Sequence, residues 1–119
     1  MTDFNQIADR YLASWNERDA AKREAALAGI FAADASFVDP VMQSEGLAGI
    51  AAMIGQVQER FPGHSFKRLG EADGYNNRLR FTWELAAGDG AVVKGTDVAT
   101  LDASGKVNAV IGFFDFVRH

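Results

Sequence analysis

Phe31-Ala-Ala-Asp-Ala-Ser-Phe-Val-Asp-Pro-Val41 is the stretch on which the fold turns. An alanine-rich helical run gives out near Ala33, Ala35 to Val38 read as a short strand, and that strand delivers Asp39 directly against Pro40. Proline fixes its own φ, has no N–H, and confines the residue before it to extended backbone. Asp39 is therefore held at a strand end. Two readings are open on the dipeptide alone. Asp-Pro opens a surface turn, or the corner turns a carboxylate into a cavity. Tyr11 and Asp97 bear on the choice.

Upstream of the corner the period is helical. Phe4, Ile7, Ala8, Tyr11, Leu12 and Trp15 form one continuous apolar stripe, with Thr2 or Asp3 as the N-cap. Asn16-Glu-Arg-Asp19 breaks the stripe, and Asp19 is placed to cap a second helix over Ala20 to Ala33, with Leu27, Ile30 and Phe31 as its larger contacts. Downstream, Gln43-Ser44-Glu45-Gly46 reads as a polar bend. A third helix follows, carrying Leu47, Ile50, Ala51, Ile54, Val57 and Phe61 on one face and ending at Pro62-Gly63.

Beyond that point the period changes to two. His64 to Leu69 reads as a strand, Gly70 to Tyr75 as a bend or short hairpin, and Asn76-Asn77 as a turn. Arg78 to Leu85 alternates, with Leu79, Phe81, Trp83 and Leu85 on one face and Arg78, Arg80, Thr82 and Glu84 on the other. Gly88-Asp89-Gly90 and Asp102-Ala-Ser-Gly105 turn the chain into strands over Ala91 to Leu101 and Lys106 to Val117, an antiparallel meander. In the last strand Ile111 and Phe113 share one face, and Val110, Phe114 and Phe116 the other. Apolar residues on both faces predict a central strand whose back is covered by a partner subunit or another element. Helices first and sheet afterwards is an α+β order, here in a single domain over 1–119.

Composition narrows the function. Net charge is −4, with no cluster of Lys or Arg, which argues against a nucleic-acid partner. No cysteine is present, so thiolate chemistry and disulfides are excluded. His64 and His119 are the only imidazoles, too few for a histidine-based metal site; no metal and no cofactor are expected. His64 itself reads as a rim or surface residue. The N-terminus carries no signal-peptide pattern and no apolar run approaches the roughly 20 residues that span a bilayer. A cytoplasmic protein is expected.

Asp97 is the most informative residue. Strand parity sets it beside Val93, Gly95, Ala99 and Leu101, an otherwise apolar face. Either it is a structural acid bonded to a buried partner, or that face is the outer one, or it is a protonated acid pointing into a cavity. Tyr11 lies mid-stripe, so its ring is buried and its hydroxyl needs a partner, as core or as a functional group. A tyrosine hydroxyl and a neutral carboxylic acid converging on one point would make an oxyanion hole, with Asp39 as a separate base.

The chain resembles the nuclear-transport-factor-2-like superfamily, in the branch of SnoaL-like polyketide cyclases and ketosteroid isomerases. The residues that carry the resemblance are Tyr11-Leu…Ser-Trp15-Asn…Asp19, Phe31 to Pro40, Gly46-Leu-Ala-Gly-Ile50, Gly95-Thr-Asp-Val, Leu101-Asp-Ala-Ser-Gly-Lys-Val107 and Phe114-Asp115. It implies a cystatin-like cone, three N-terminal helices on a curved antiparallel sheet enclosing a pocket; the apolar back of the last strand adds the expectation of a homodimer through the sheet's outer face. The resemblance also implies Tyr11 and Asp97 as holders of an enolate oxygen and Asp39 as the proton carrier. Trp15, Phe37, Phe61, Phe81, Trp83 and Phe113 are expected to line the pocket. Asp115, which shares the parity of Ile111 and Phe113, is a candidate second carboxylate, because SnoaL-like cyclases use an acid/base aspartate on the sheet. Arg78 and Arg80 take the polar face, which argues against the Asp-Arg-Asp set of limonene-type epoxide hydrolases.

Three functions follow from these residues. One is a cofactor-independent isomerase or cyclase acting on a small hydrophobic ketone. The second is a binding protein for a hydrophobic metabolite, favoured if Tyr11 and Asp97 stand more than about 5 Å apart. The third is an interaction domain whose pocket is filled by aromatics.

Overall fold

The computed structural model describes residues 2–119. Helix α1 (Phe4–Asn16) is capped by Asp3, whose side chain accepts from the Gln6 N–H. Helix α2 (Ala20–Ile30) is capped the same way by Asp19, which accepts from the Lys22 N–H. Strand β1 (Phe31–Val38) follows without a linker, then β2 (Gln43–Glu45), α3 (Gly46–Arg60), β3 (Ser65–Tyr75), β4 (Arg78–Ala87), β5 (Gly90–Leu101) and β6 (Val107–Val117).

The second helix is shorter than its alanine content predicts. Phe31 closes its last turn by donating to the Leu27 carbonyl, then turns extended and pairs with Val107 of β6. Sheet pairing therefore overrides the helix propensity of Ala32 and Ala33. Residues 43–45, read above as a bend, are a short strand on the edge of β1. Residues 65–75 form one strand, not a strand and a separate hairpin. The left-handed backbone of Gly70 and a register shift between Leu69 and Asp73 mark a bulge within it. Asn76 and Asn77 both take positive φ, as a tight hairpin turn requires.

The sheet order is β2-β1-β6-β5-β4-β3. It is mixed rather than wholly antiparallel, because β1 runs parallel to β6. The chain between those strands crosses the domain through α3 and the β3–β5 meander, which is the long route a parallel pair needs. Three helices pack on one side of the open six-stranded sheet, and Leu27, Phe31, Ile50, Ile54, Leu79, Val107 and Val110 lie fully buried between the layers. Each such side chain contributes roughly 1.5–3 kcal/mol relative to exposure.

Helix α1 is fastened to the edge strand β3 by two asparagines. Asn16 Oδ1 accepts from the Phe66 N–H at 2.7 Å and its Nδ2 donates to the Phe66 carbonyl at 2.8 Å. Asn5 Oδ1 accepts from the Ala72 N–H at 2.8 Å. These bonds occupy backbone groups that an edge strand otherwise leaves open. They also lock the helix at both ends, so Tyr11 between them has one position along the sheet.

Strand β6 holds the third place in the sheet, but its outer face is open. Val38, Ile111, Phe113 and Phe116 are exposed large hydrophobic residues, and Phe113 is 55% exposed. Parity along β6 fails at Asp115. Gly95 pairs with Phe114 while Lys94 pairs with Phe116, so Asp115 is an inserted residue and Phe116 moves to the outer face. There the Lys94 ammonium stands 5.7 Å from the Phe116 ring centroid.

Candidate functional site

Asp97 sits mid-strand in β5, in register with Phe81 of β4 and Gly112 of β6. It is 4% exposed. Tyr11, brought to it by α1, is 2% exposed and donates its hydroxyl to Asp97 Oδ2 at 3.2 Å. The Tyr11 ring is fixed by Phe81 at 5.4 Å and Phe31 at 5.8 Å between centroids.

Burial pushes the Asp97 carboxyl up from 3.8 to about 6. The Trp83 indole and the Tyr11 hydroxyl favour the ionised form and offset part of that rise, while the charge of Asp39 adds to it. The Tyr11 phenol is raised well above its ordinary value, first by burial and then by the negative charge of Asp97. Tyr11 therefore stays a neutral donor across the physiological range. Among the described residues the buried indole N–H groups of Trp15 and Trp83 have no partner in hydrogen-bonding geometry, so the Trp83 indole acts on Asp97 as a nearby dipole.

Asp39 closes the turn after β1. Its Oδ1 accepts from the N–H groups of Val41 and Met42, each at 2.9 Å, and its own N–H donates to the Met42 carbonyl at 2.9 Å. Those bonds fix the carboxylate while Oδ2 takes no hydrogen bond among the described residues. Both the turn reading and the cavity reading of Asp-Pro describe the same side chain, since Asp39 also lines a cavity of about 340 Å³ together with Tyr11 and Asp97.

Two glycines make the arrangement possible. A Cβ at Gly112 would stand 2.8 Å from Asp97 Oδ1 and 3.2 Å from Asp39 Cβ, so the absence of a side chain lets the two acids flank one point of β6. A Cβ at Gly95 would collide with the Trp83 indole and the Phe113 carbonyl, so this glycine lets the indole lie across β5 beside Asp97.

Around the acids the wall is aromatic. Trp15 contacts Phe37 and Phe66, and Trp83 contacts Phe66 and Phe114, at centroid distances of 5.3–6.4 Å. Of the residues expected to line the pocket, Trp15, Phe37, Phe61 and Trp83 do line this cavity. Phe81 does not; it lies one layer deeper, against the Tyr11 ring. Phe113 and Asp115 are on the opposite face of the sheet. Phe113 is exposed there, and Asp115 accepts from Thr96 Oγ1 at 2.7 Å. Strand parity put those two residues together correctly but on the wrong face of the sheet.

Phe66, Met42, Phe114 and Arg60 line the cavity without having been singled out. Arg60 had a readable signal, since Val57, Arg60 and Phe61 share a helical face at i, i+3 and i+4. His64 lies just outside, its ring 5.7 Å from Phe61. Among the described residues no three histidine, aspartate or glutamate side chains come together as a metal-binding group.

Residues 8–110 match the model of the SnoaL-like domain. The chain belongs to the SnoaL-like family. A solved SnoaL-like protein from Agrobacterium tumefaciens, described as a proposed isomerase of the family, is 44% identical; the match covers 98% of this chain and 100% of that one, with a TM-score of 0.93. A proposed polyketide cyclase from Sinorhizobium meliloti is 16% identical over 90% and 93% of the two chains, with a TM-score of 0.70. A Silicibacter pomeroyi protein described as having a cystatin-like fold is 18% identical over 97% of this chain and 77% of that one, with a TM-score of 0.71. At these lower identities the likeness is one of fold: three helices on an open mixed sheet. No curated protein matches the sequence significantly. No helix among the described residues is long and apolar enough to cross a membrane.

Proposed function

We propose that this SnoaL-like protein is a cofactor-independent isomerase or cyclase that removes a proton next to a carbonyl of a small apolar ketone. The observation that carries this reading is the 3.2 Å Tyr11–Asp97 hydrogen bond on the wall of a cavity that Asp39 also lines. The carbonyl oxygen takes the place between the Tyr11 hydroxyl and the protonated Asp97. Asp39 accepts the proton from the adjacent carbon, and the electron pair of the broken C–H bond moves onto the oxygen as an enolate. The two donors hold that charge in a water-poor cavity, where such bonds are worth most. Asp39 then returns the proton to a different carbon, or the enolate carbon attacks a second carbonyl, closing a ring as that C=O π bond opens to an alkoxide, which takes the proton from Asp39.

Two ionisations bound the activity. Asp39 has to be ionised to accept a proton and Asp97 has to be neutral to donate, so turnover falls as pH rises through about 6. The name of the Agrobacterium relative as a proposed isomerase agrees with this chemistry. The deciding test is deuterium exchange at the carbon next to the carbonyl of a panel of cyclic enones. Asp39→Asn is expected to abolish exchange while leaving the far-ultraviolet spectrum intact; full exchange by that variant would rule the mechanism out.

One observation favours a second reading. Above about pH 6 the Asp97 carboxyl is mainly ionised and accepts the Tyr11 hydroxyl instead of joining it as a donor. A cavity in that state binds an apolar metabolite carrying a hydroxyl, without turning it over. Binding with no exchange at any pH between 5 and 8 would select that reading.

A cytoplasmic homodimer belongs to the same proposal. The open outer face of β1 and β6, with Val38, Ile111, Phe113 and Phe116, supports the second subunit's place on the sheet.

A further inference from the structure

The cavity has charged groups of both signs. Among the described residues, Asp39 and Asp97 are its acids and Arg60, in the last turn of α3, is its only base. Arg60 is exposed, so it stands at the rim, whereas Asp97 and Tyr11 are buried in the wall.

Arg60 and Arg10 are the arginines with neither an ion pair nor a hydrogen bond among the described residues, and of the two Arg60 is the one that lines the cavity. Arg68 and Arg80 pair with Asp9 and Asp73, and Arg118 with Asp89. Arg18, Arg23 and Arg78 spend their guanidinium N–H groups on carbonyls or on Gln58. Arg60 has no such partner among the described residues, although Asp39 lines the same cavity. A basic residue in a last helical turn favours the helix dipole wherever its side chain lies. That role explains a charge in the turn; it does not explain why the side chain lines a cavity whose wall is mainly aromatic and aliphatic.

We propose that Arg60 selects a substrate bearing a carboxylate at the end remote from the reacting carbonyl. The substrate class is then an amphipathic keto acid. Its carbonyl lies at Tyr11 and Asp97, its apolar middle against Trp15, Phe66 and Trp83, and its carboxylate at the rim. A guanidinium suits that end because its N–H groups meet both oxygens of a carboxylate at once. The Asp39 carboxylate repels an anion placed deep in the cavity, so the acid end is held at the rim and the molecule enters carbonyl first. This inference rests on the reading of the cavity given above, and sharpens it to one orientation.

Two phenolic acids serve as probes, a rigid one, 6-hydroxy-2-naphthoate, and a flexible one, 4-(4-hydroxyphenyl)butanoate, each alongside its methyl ester. The phenol stands in for the enol, and the flexible chain removes any dependence on one rim-to-wall distance. Calorimetric titration at pH 6 and low salt is expected to give at least one acid a roughly fivefold to tenfold tighter Kd than its ester, about 1–1.4 kcal/mol. That preference weakens on adding salt. Arg60→Gln removes the preference and leaves ester binding unchanged, while Arg60→Lys keeps part of it. A purely helix-stabilising Arg60 predicts lower stability in Arg60→Gln with the acid preference intact, and that result would overturn the proposal. So would equal affinity of acids and esters for the unaltered protein, which leaves the cavity reading standing. Failure of all four probes to bind overturns both.

Discussion

Asp97→Asn removes a buried ionisable group while leaving a side chain of nearly the same size to accept the Tyr11 hydroxyl. The Asp97 carboxyl is raised from 3.8 to about 6, and one pKa unit is 1.36 kcal/mol, so the shift corresponds to about 3 kcal/mol. Below pH 3.8 the group is neutral in both the folded and the unfolded chain and contributes nothing to the pH dependence. Between 3.8 and about 6 the folded protein holds a proton that the unfolded chain has released, so stability declines as pH rises. Above about 6 both states are ionised and the whole penalty of about 3 kcal/mol is present. The asparagine variant has no such penalty. Urea unfolding of both proteins at fixed ionic strength from pH 4 to pH 8 isolates Asp97 together with its coupling to Asp39, because the acids remote from it contribute alike to the two curves. Relative to the unaltered protein, the variant is expected to gain up to about 3 kcal/mol between the two ends of the range. With an m-value of roughly 1–3 kcal/mol/M, the midpoint moves by about 1 M or more. Parallel curves across the whole range would refute the assignment of Asp97 as a carboxyl raised by burial.

Three further substitutions test the geometry around it. Gly112→Ala sets a methyl group 2.8 Å from Asp97 Oδ1, so it should destabilise the protein by about 1–3 kcal/mol in thermal or urea unfolding. Adding Asp97→Ala to that variant should recover most of the loss, and no recovery would mean that the strain lies elsewhere. Asn16→Ala removes both bonds to Phe66 and should cost about 1–3 kcal/mol. Hydrogen exchange should then show faster opening of β3 than of β5; equal acceleration in both strands would count against a local tether. Phe113→Glu places a charge on the exposed outer face of β6 and should convert a dimer into a monomer in sedimentation velocity. A monomeric unaltered protein at micromolar concentration would dispose of the interface.

The fold was legible because most of its signals are local. Asp3 and Asp19 announce their caps, the stripe from Phe4 to Trp15 has one period, and Asn76-Asn77 is a turn that few other residue pairs accept. What was not legible depends on partners far away in sequence. Ala32 and Ala33 favour helix taken alone, yet they lie in β1 because Val107 of β6 pairs with Phe31. Nothing in residues 31–38 says that their sheet partner runs parallel; that follows from where the chain returns after the β3–β5 meander.

The candidate site divides along the same line. Tyr11, Asp39 and Asp97 were readable from helix stripe, Asp-Pro corner and strand parity, Tyr11 and Asp97 within regular elements and Asp39 in the turn that closes β1. Phe113 and Asp115 were not, because parity alone fixes only which residues share a face, and both were assigned to the wrong one. The reference for β6 is Val110, which is 1% exposed, and Gly112, which meets Asp97 and Asp39. Counting by twos from either residue brings Phe114 to the cavity and sends Ile111 and Phe113 outward. The insertion at Asp115 then puts Asp115 and Phe116 on the outer face together and returns Val117 to the cavity. Gly112 was the available signal. A glycine in a strand opposite an isolated buried aspartate marks a close approach, and the neighbour it accommodates identifies the inner face.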